Sequence, residues 1–512
     1  MSGMFSLVKS VGLFGMNAFE VSVEVEASRG MDRFEIIGLA DASVKESRER
    51  IRSAFRSSVL RFPVLNIMVN LAPADVKKSG SSHDLAIATA ILAASGAFPA
   101  DRTENCCFIG ELSLSGELRP INGVLPTTIF AQRMGLKKIY VPKENAYEAS
   151  VVEGIEVYGV ESLSELAHCL SGDIVIEKAP PYVPAERNNG DLLDFADVKG
   201  QQFAKKALEV AACGGHNLLM IGSPGSGKSM LAKRLPSILP KMTFEESIET
   251  TNIYSIAGLI DKNAPLVTER PFRSPHHTVS TAGLAGGGGI PHPGEISLAH
   301  NGLLFLDELA EFSRSTLEIL RQPIEDAKVT ISRASGTVTY PSNIMLVAAM
   351  NPCPCGYYGH PKKKCVCTQR QVSQYLSKIS GPLLDRFDLH IEVAPVEYEN
   401  ISSTRKEESS TAIRERVQKA REIQNERYKG TGITCNARIT SELLHEVCPL
   451  TDDANTLLGE VFDRLGLSAR AYDRILKVSR TMADMESEER IDRKHVAQAV
   501  RYRCLDRKYW EN

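Results

Sequence analysis

The sequence has no excess of charge of either sign: 60 Lys and Arg face 63 Asp and Glu, for a formal net charge of −3. Whole-molecule charge therefore gives a polyanion no general attraction, and any nucleic-acid contact must come from a local basic surface. No apolar run is long enough to span a bilayer. The longest, Leu85 to Phe98, is Ala-rich and reads as a packed core helix. The N-terminus carries no targeting signal. Met1 to Met16 leads into Phe19-Glu20-Val21-Ser22-Val23-Glu24-Val25-Glu26, whose alternation predicts a half-buried strand. A cytoplasmic protein with no membrane partner is the expectation. Internal repeats and long low-complexity tracts are also missing. The 11 cysteines are odd in number and follow no secretory signal, so reduced thiols are expected, with metal binding for any cluster.

What is present is an ordinary globular composition, 43% hydrophobic and 24% charged, in 512 residues, enough for two to four domains. Residues 1–172 mix strands (Ile67 to Leu71, Lys138 to Val141) with helical stretches (Ser43 to Phe55, Asp84 to Ala94) and read as an α/β domain. Residues 173–190 are the linker, with Pro180, Pro181 and Pro184 followed by Asn188-Asn189-Gly190. Residues 191–395 alternate apolar strands with helices, which predicts a parallel sheet. Residues 396–512, rich in Arg, Lys, Glu and Ala at helical spacing, read as a small helical domain.

The chemistry begins at Gly222-Ser223-Pro224-Gly225-Ser226-Gly227-Lys228-Ser229, between the apolar strand Leu218-Leu219-Met220-Ile221 and a helix start. This is the context that a phosphate-binding P-loop requires. Glycines let backbone N–H groups wrap phosphate oxygens without a Cβ clash. Lys228 is placed for the β- and γ-phosphates of ATP, and the Ser229 hydroxyl for Mg²⁺. A second strand, Leu303 to Leu306, ends in Asp307-Glu308. Asp307 would hold Mg²⁺ through water and Glu308 would act as general base on the attacking water.

A third strand, Ile344 to Met350, ends in Asn351, which either orients the lytic water or forms a turn before Pro352. In Ser380-Gly381-Pro382-Leu383-Leu384-Asp385-Arg386-Phe387-Asp388, Arg386 suits charge donation to a neighbouring subunit's γ-phosphate, or an internal Asp–Arg pair. Arg470, at the start of an amphipathic helix, either touches phosphates from the helical domain or is a surface charge. Cys353-Pro354-Cys355 and Cys365-Val366-Cys367 offer four thiolates to a tetrahedral Zn²⁺, with one residue inside each pair where two to four are usual; four free thiols are the alternative. Lys362-Lys363-Lys364 between them either meet phosphates or keep the loop solvated.

Together these motifs resemble the AAA+ superfamily. Cys213 to Asn217, Phe272-Arg273-Ser274-Pro275-His276-His277-Thr278, Gly294 to Gly302 and Asn351 to Gly356 resemble its YifB/ComM branch of magnesium-chelatase-like ATPases over essentially the whole chain. The resemblance implies that Lys228 is the Walker A lysine, Asp307-Glu308 the Walker B pair, Asn351 sensor 1, Arg386 the arginine finger and Arg470 the sensor 2 arginine. It implies a hexameric DNA motor that drives branch migration during recombination in natural transformation. It also implies two insertions in the core: a Gly-rich loop near Ser280 to Pro293, and a hairpin from about Lys328 to Tyr340 with Ser335-Gly336 at its turn. Arg333 near that tip either contacts a phosphate backbone or belongs to a hairpin that only packs on its neighbour.

The fold so implied is α/β and multidomain: a Lon-protease-like (ribosomal S5 domain 2-like) N-terminal domain, an AAA+ core and a helical lid. Lys78-Ser79-Gly80-Ser81-Ser82 stands where Lon has its serine motif, but the candidate lysine positions fall on Leu125 and Thr127. Ser82 thus lacks an amine base, and no peptidase activity is expected. A metal-chelatase ATPase subunit, an ATP-driven remodeller of a protein partner and a nucleotide switch are the competing readings. The Lon-like domain disfavours the chelatase, and Glu308 disfavours the switch.

Overall fold

The computed structural model describes residues 4–510 apart from 31–32, 39–41, 77, 79, 184–192, 290, 334–335, 397–406 and 504–508. The predicted linker from 184 onward, Ser79 and Ser335 of the predicted turn lie outside the described residues. The chain forms two compact units, residues 1–186 with 247–267, and residues 187–246 with 268–512. This division departs from the linear one drawn from the sequence. Residues 247–267 lie inside the expected core segment but pack with the first unit, where the Ser255 hydroxyl donates to the Glu148 carboxylate (2.5 Å).

The first unit is built on a seven-stranded mixed sheet in the order Arg33–Ile37, Asn66–Ala72, Asn17–Ser28, Met4–Phe14, Cys106–Phe108, Lys138–Pro142, Glu156–Val160. The alternation in the third of these strands works as predicted: Val21, Val23 and Val25 are buried while Glu26 is exposed. Behind the sheet the Asp84–Ala94 helix is apolar all round and buried along nearly its whole length. Its one acid, Asp84, is buried and satisfied by Arg50 Nε (2.8 Å) and the Leu112 N–H (3.3 Å).

The second unit holds a five-stranded sheet in the order Phe272–Arg273, Leu303–Leu306, Met345–Met350, Leu218–Ile221, Leu389–Glu392, every pair parallel. Its central strands are buried on both faces, which is why they read as continuous apolar runs. Register aligns Leu306 with Ala348 and Ile221 with Met350, so the residues that follow these strands emerge side by side at one edge. From Ser410 the described chain is helical, through Ser410–Arg427, Asp452–Leu465, Ala469–Met485 and Arg493–Arg501. The predicted hairpin is present, Lys328–Arg333 pairing antiparallel with Gly336–Pro341. Val329, Ile331, Val338 and Tyr340 face inward, and Thr330 and Thr339 pair outward (3.2 Å). Among the described residues no helix is long and apolar enough to cross a membrane.

Candidate active site

At the carboxyl edge of the parallel sheet, a cleft of about 380 Å³ is lined by Pro224 to Met230, Asp307, Glu308, Met350 and Asn351. The edge position follows from topology, since open parallel sheets place their sites beyond the strand ends. Gly222 leaves the strand with its N–H donated to the Met350 carbonyl (3.2 Å). A Cβ on Gly222 would meet the Val393 carbonyl oxygen at 2.5 Å, so only glycine lets the loop start this close to the next strand. Gly227 turns into the following helix at φ +94°, a region that L side chains rarely adopt.

Lys228 reaches back over this loop. Its Nζ donates to the Gly222 and Ser223 carbonyls (2.7 and 3.0 Å) and to the Asn351 side-chain oxygen (3.2 Å). Burial pulls its ammonium below the ordinary lysine range, opposed by the carboxylates of Asp307 and Glu308. The Ser229 hydroxyl donates to Asp307 Oδ2 (2.5 Å), and Asp307 Oδ1 accepts the Glu308 N–H (2.9 Å). Among the described residues, buried Ser226 Oγ has no hydrogen-bond partner. A polyphosphate with a hard divalent cation fits this set: a cationic donor, a hydroxyl–carboxylate pair for the metal and a free buried hydroxyl.

Glu308 has φ +52°, a strained backbone for a non-glycine residue, and its carboxylate projects into solvent at the cleft. Its Oε2 lies 3.4 Å from His277 Nδ1. His277 is the residue that sequence reasoning missed. Its motif, Phe272 to Thr278, was legible only as a family signature, because a contact between two strand ends leaves no local spacing to read. Four residues on, Thr281–Ala285 leads into the Gly-rich segment. Gly286–Gly287 pairs with His292–Pro293, and a Cβ on Gly287 would lie 3.3 Å from an Arg333 guanidinium nitrogen. The two predicted insertions thus meet, and Arg333 is exposed where they do.

Lys228, Ser229, Asp307, Glu308 and Asn351 come together; Arg386 and Arg470 do not line this cleft. Arg386 is buried and pairs with Glu325 (2.6 Å), not with Asp385, while its Nε donates to the Arg321 carbonyl (3.2 Å). Arg470 is exposed on the first turn of Ala469–Met485, a helix capped by the Ser468 hydroxyl. Two other arginines of that helix are held by acids: Arg474 pairs with Asp388, and Arg480 is buried against Asp484. Burial alone would raise the Asp388 carboxyl; Arg474, His216 and the Asn217 N–H outweigh it and hold it well below the carboxylate range. Asp388→Ala is expected to cost about 3–5 kcal/mol in urea unfolding at neutral pH, because Arg474 loses its charge partner in a largely buried place. Because the folded pKa is depressed, this contribution is complete above the ordinary carboxylate pKa. It fades as pH falls through the lower folded value, so wild type and variant should converge only in acid.

The four cysteines also converge, with Sγ–Sγ separations of 3.4 Å (Cys353–Cys355), 3.7 Å (Cys353–Cys365) and 3.5 Å (Cys355–Cys365). Lys362, Lys363 and Lys364 are exposed on the intervening loop, Lys363 over the Tyr357 ring at 4.9 Å. In the first unit the positions of the missing lysine are filled by buried residues, Leu125 and Thr127, the Thr127 hydroxyl being donated to the Gly123 carbonyl (2.7 Å).

Three family models match along the chain: "Subunit ChlI of Mg-chelatase" over residues 23–145, "Magnesium chelatase, subunit ChlI" over 194–401, and "Magnesium chelatase, subunit ChlI C-terminal" over 407–503. Competence protein ComM of Haemophilus influenzae is 43% identical over 506 residues, 98% of each chain. The chain belongs to the YifB/ComM family. YifB of Escherichia coli is 42% identical over 98% of this chain and 97% of its own. A partial likeness reaches Lon protease 2 of Bacillus subtilis, 27% identical over 201 residues, 36% of each chain. As a YifB/ComM member the protein pairs a mixed α/β unit with a magnesium-chelatase-like core, and its cleft residues lie inside the match over 194–401.

Proposed function

We propose that this YifB/ComM member is an AAA+ ATPase that works as a ring of identical subunits on branched or single-stranded DNA, and drives branch migration for recombination in natural transformation. The observation that carries the ATPase half is the meeting of Lys228, Ser229, Asp307, Glu308 and Asn351 at one sheet edge. The DNA half is supported by 43% identity to a competence protein and by exposed Arg333 beside the Gly-rich segment. A hexamer in the cytoplasm is the assembly this reading expects.

In this reading Gly222 to Ser229 hold the phosphates of ATP, Ser229 and Asp307 hold Mg²⁺, and the four thiols hold a structural Zn²⁺. Bound Mg²⁺ would neutralise charge on the phosphates. Lys228 supplies positive charge beside them, Glu308 takes the proton of the attacking water, and Asn351 holds that water's orientation. Arg386 serves a neighbour's site and Arg470 the lid side of its own. The first unit, whose candidate lysine positions hold Leu125 and Thr127, is a scaffold for assembly or DNA.

The family models named for magnesium chelatase favour one second reading, an ATPase subunit that remodels a protein partner. Steady-state ATPase with no DNA, single strand, duplex and four-way junction separates the two. Junction-stimulated hydrolysis with strand exchange is expected; hydrolysis indifferent to every DNA transfers the case to the protein partner. Lys228→Ala is expected to weaken ATP binding about a hundredfold, read by titration with a fluorescent ATP analogue. Unchanged affinity would remove the phosphate-loop assignment.

A further inference from the structure

We infer that Cys353, Cys355, Cys365 and Cys367 bind one Zn²⁺ and that this metal braces the phosphate loop and Asn351, so that ATP affinity depends on it. The second half rests on the nucleotide reading of the Lys228 cleft.

The metal half follows from the sulfur geometry. Four thiolates about 2.3 Å from a tetrahedral Zn²⁺ lie about 3.8 Å from one another. The three Sγ separations of 3.4, 3.5 and 3.7 Å are close to that edge, and all four sulfurs lie within 4.8 Å of one another. A disulfide needs about 2.05 Å, and all four cysteines are free. The Tyr358 N–H points at Cys353 Sγ (3.3 Å), so a backbone donor already orients one sulfur of the cluster. An all-sulfur tetrahedral set suits a soft or borderline ion and suits Mg²⁺ or Ca²⁺ poorly.

The bracing half follows from where the knot sits. Cys353 is buried two residues beyond Asn351, whose side-chain oxygen accepts from Lys228 (3.2 Å). The Cys353 carbonyl accepts the Gly356 N–H (2.9 Å), closing a turn with Gly356 at φ +81°. That turn rests on the phosphate loop: a Cβ on Gly356 would lie 2.4 Å from Pro224 Cδ. Between the Met345–Met350 strand and the Gln369–Leu376 helix the chain has no regular secondary structure, so few backbone bonds hold it. A metal joining both ends of the loop removes the freedom that would let Gly356 leave Pro224 and Asn351 leave Lys228.

The test uses the full chain, purified without chelator from zinc-supplemented growth. Mass-spectrometric metal analysis is expected to find about one Zn²⁺ per chain, and Cys355→Ser with Cys365→Ser to lose it. The double variant is expected to bind a fluorescent ATP analogue about tenfold more weakly, with its circular dichroism unchanged. Because loss of a metal can also unfold a chain, Gly356→Ala provides a second reading. It should keep its zinc yet weaken ATP similarly, since its methyl displaces Pro224. Wild-type protein without zinc, or with another metal in its place, overturns the metal assignment. Full zinc loss with unchanged ATP affinity overturns the brace, as does a Gly356→Ala variant that binds ATP normally. Should zinc be present while wild type binds no ATP, the nucleotide reading fails and the metal site stands.

Discussion

Glu308→Gln is expected to bind ATP as wild type does and to turn it over about 10²- to 10⁴-fold more slowly, the range by which a positioned general base accelerates a proton transfer. The contacts that would hold the nucleotide do not involve this carboxylate: Lys228 bonds carbonyls and Asn351, and Ser229 bonds Asp307. The substitution keeps the side chain's size and removes its basicity together with its negative charge. The strained backbone at φ +52° holds residue 308 out from the strand end, and that strain remains in the variant. Near His277 Nδ1, 3.4 Å away, glutamine can still accept a hydrogen bond, so the His277 loop keeps its contact. Steady-state hydrolysis and analogue titration on the same preparation decide it. A turnover near wild type would move the base elsewhere, and a parallel loss of binding would make Glu308 a structural residue.

Much of this site was legible because its parts are local. A four-residue apolar strand followed by a Gly-rich loop and Lys-Ser is a contiguous pattern, and Leu303 to Leu306 ending in two acids is another. The sheet then brings their ends together, because parallel pairing puts Ile221 beside Met350 and Leu306 beside Ala348. The hairpin from Lys328 was readable from its alternation, and the Asp84–Ala94 helix from its mostly apolar, Ala-rich run.

What escaped is long-range. Residues 247–267 carry ordinary helix-and-turn sequence, and nothing in them says that Ser255 will meet Glu148 more than a hundred positions back. That Arg386 pairs with Glu325 and not with an aspartate of its own motif is likewise decided by packing. Glycine patterns gave only half their meaning: Gly356 was visible in Cys-Gly, but its contact with Pro224 belongs to the folded state. The helix start at Ala469 was readable and the facing of its arginines was not, since Arg474 and Arg480 meet acids while Arg470 stays exposed.

Arg386→Ala is expected to lower turnover about 10³-fold or more, the scale of an arginine supplied to a phosphoryl-transfer site. Within one chain the guanidinium is spent on Glu325 and the Arg321 carbonyl and does not line the cleft of Lys228. An effect on hydrolysis must therefore arrive from another copy or through damage to the fold. Glu325→Gln separates the two, because it breaks the same ion pair and leaves the arginine, and it should retain hydrolysis. Mixing supplies the positive test. Arg386→Ala chains keep Glu308, and Glu308→Gln chains keep Arg386, so a mixed assembly rebuilds complete sites at the junctions between unlike subunits. Hydrolysis by the mixture well above either variant alone is the expected result, since each is nearly inactive by itself. Co-assembly demonstrated by pull-down with no recovered hydrolysis would place Arg386 in the framework of its own subunit.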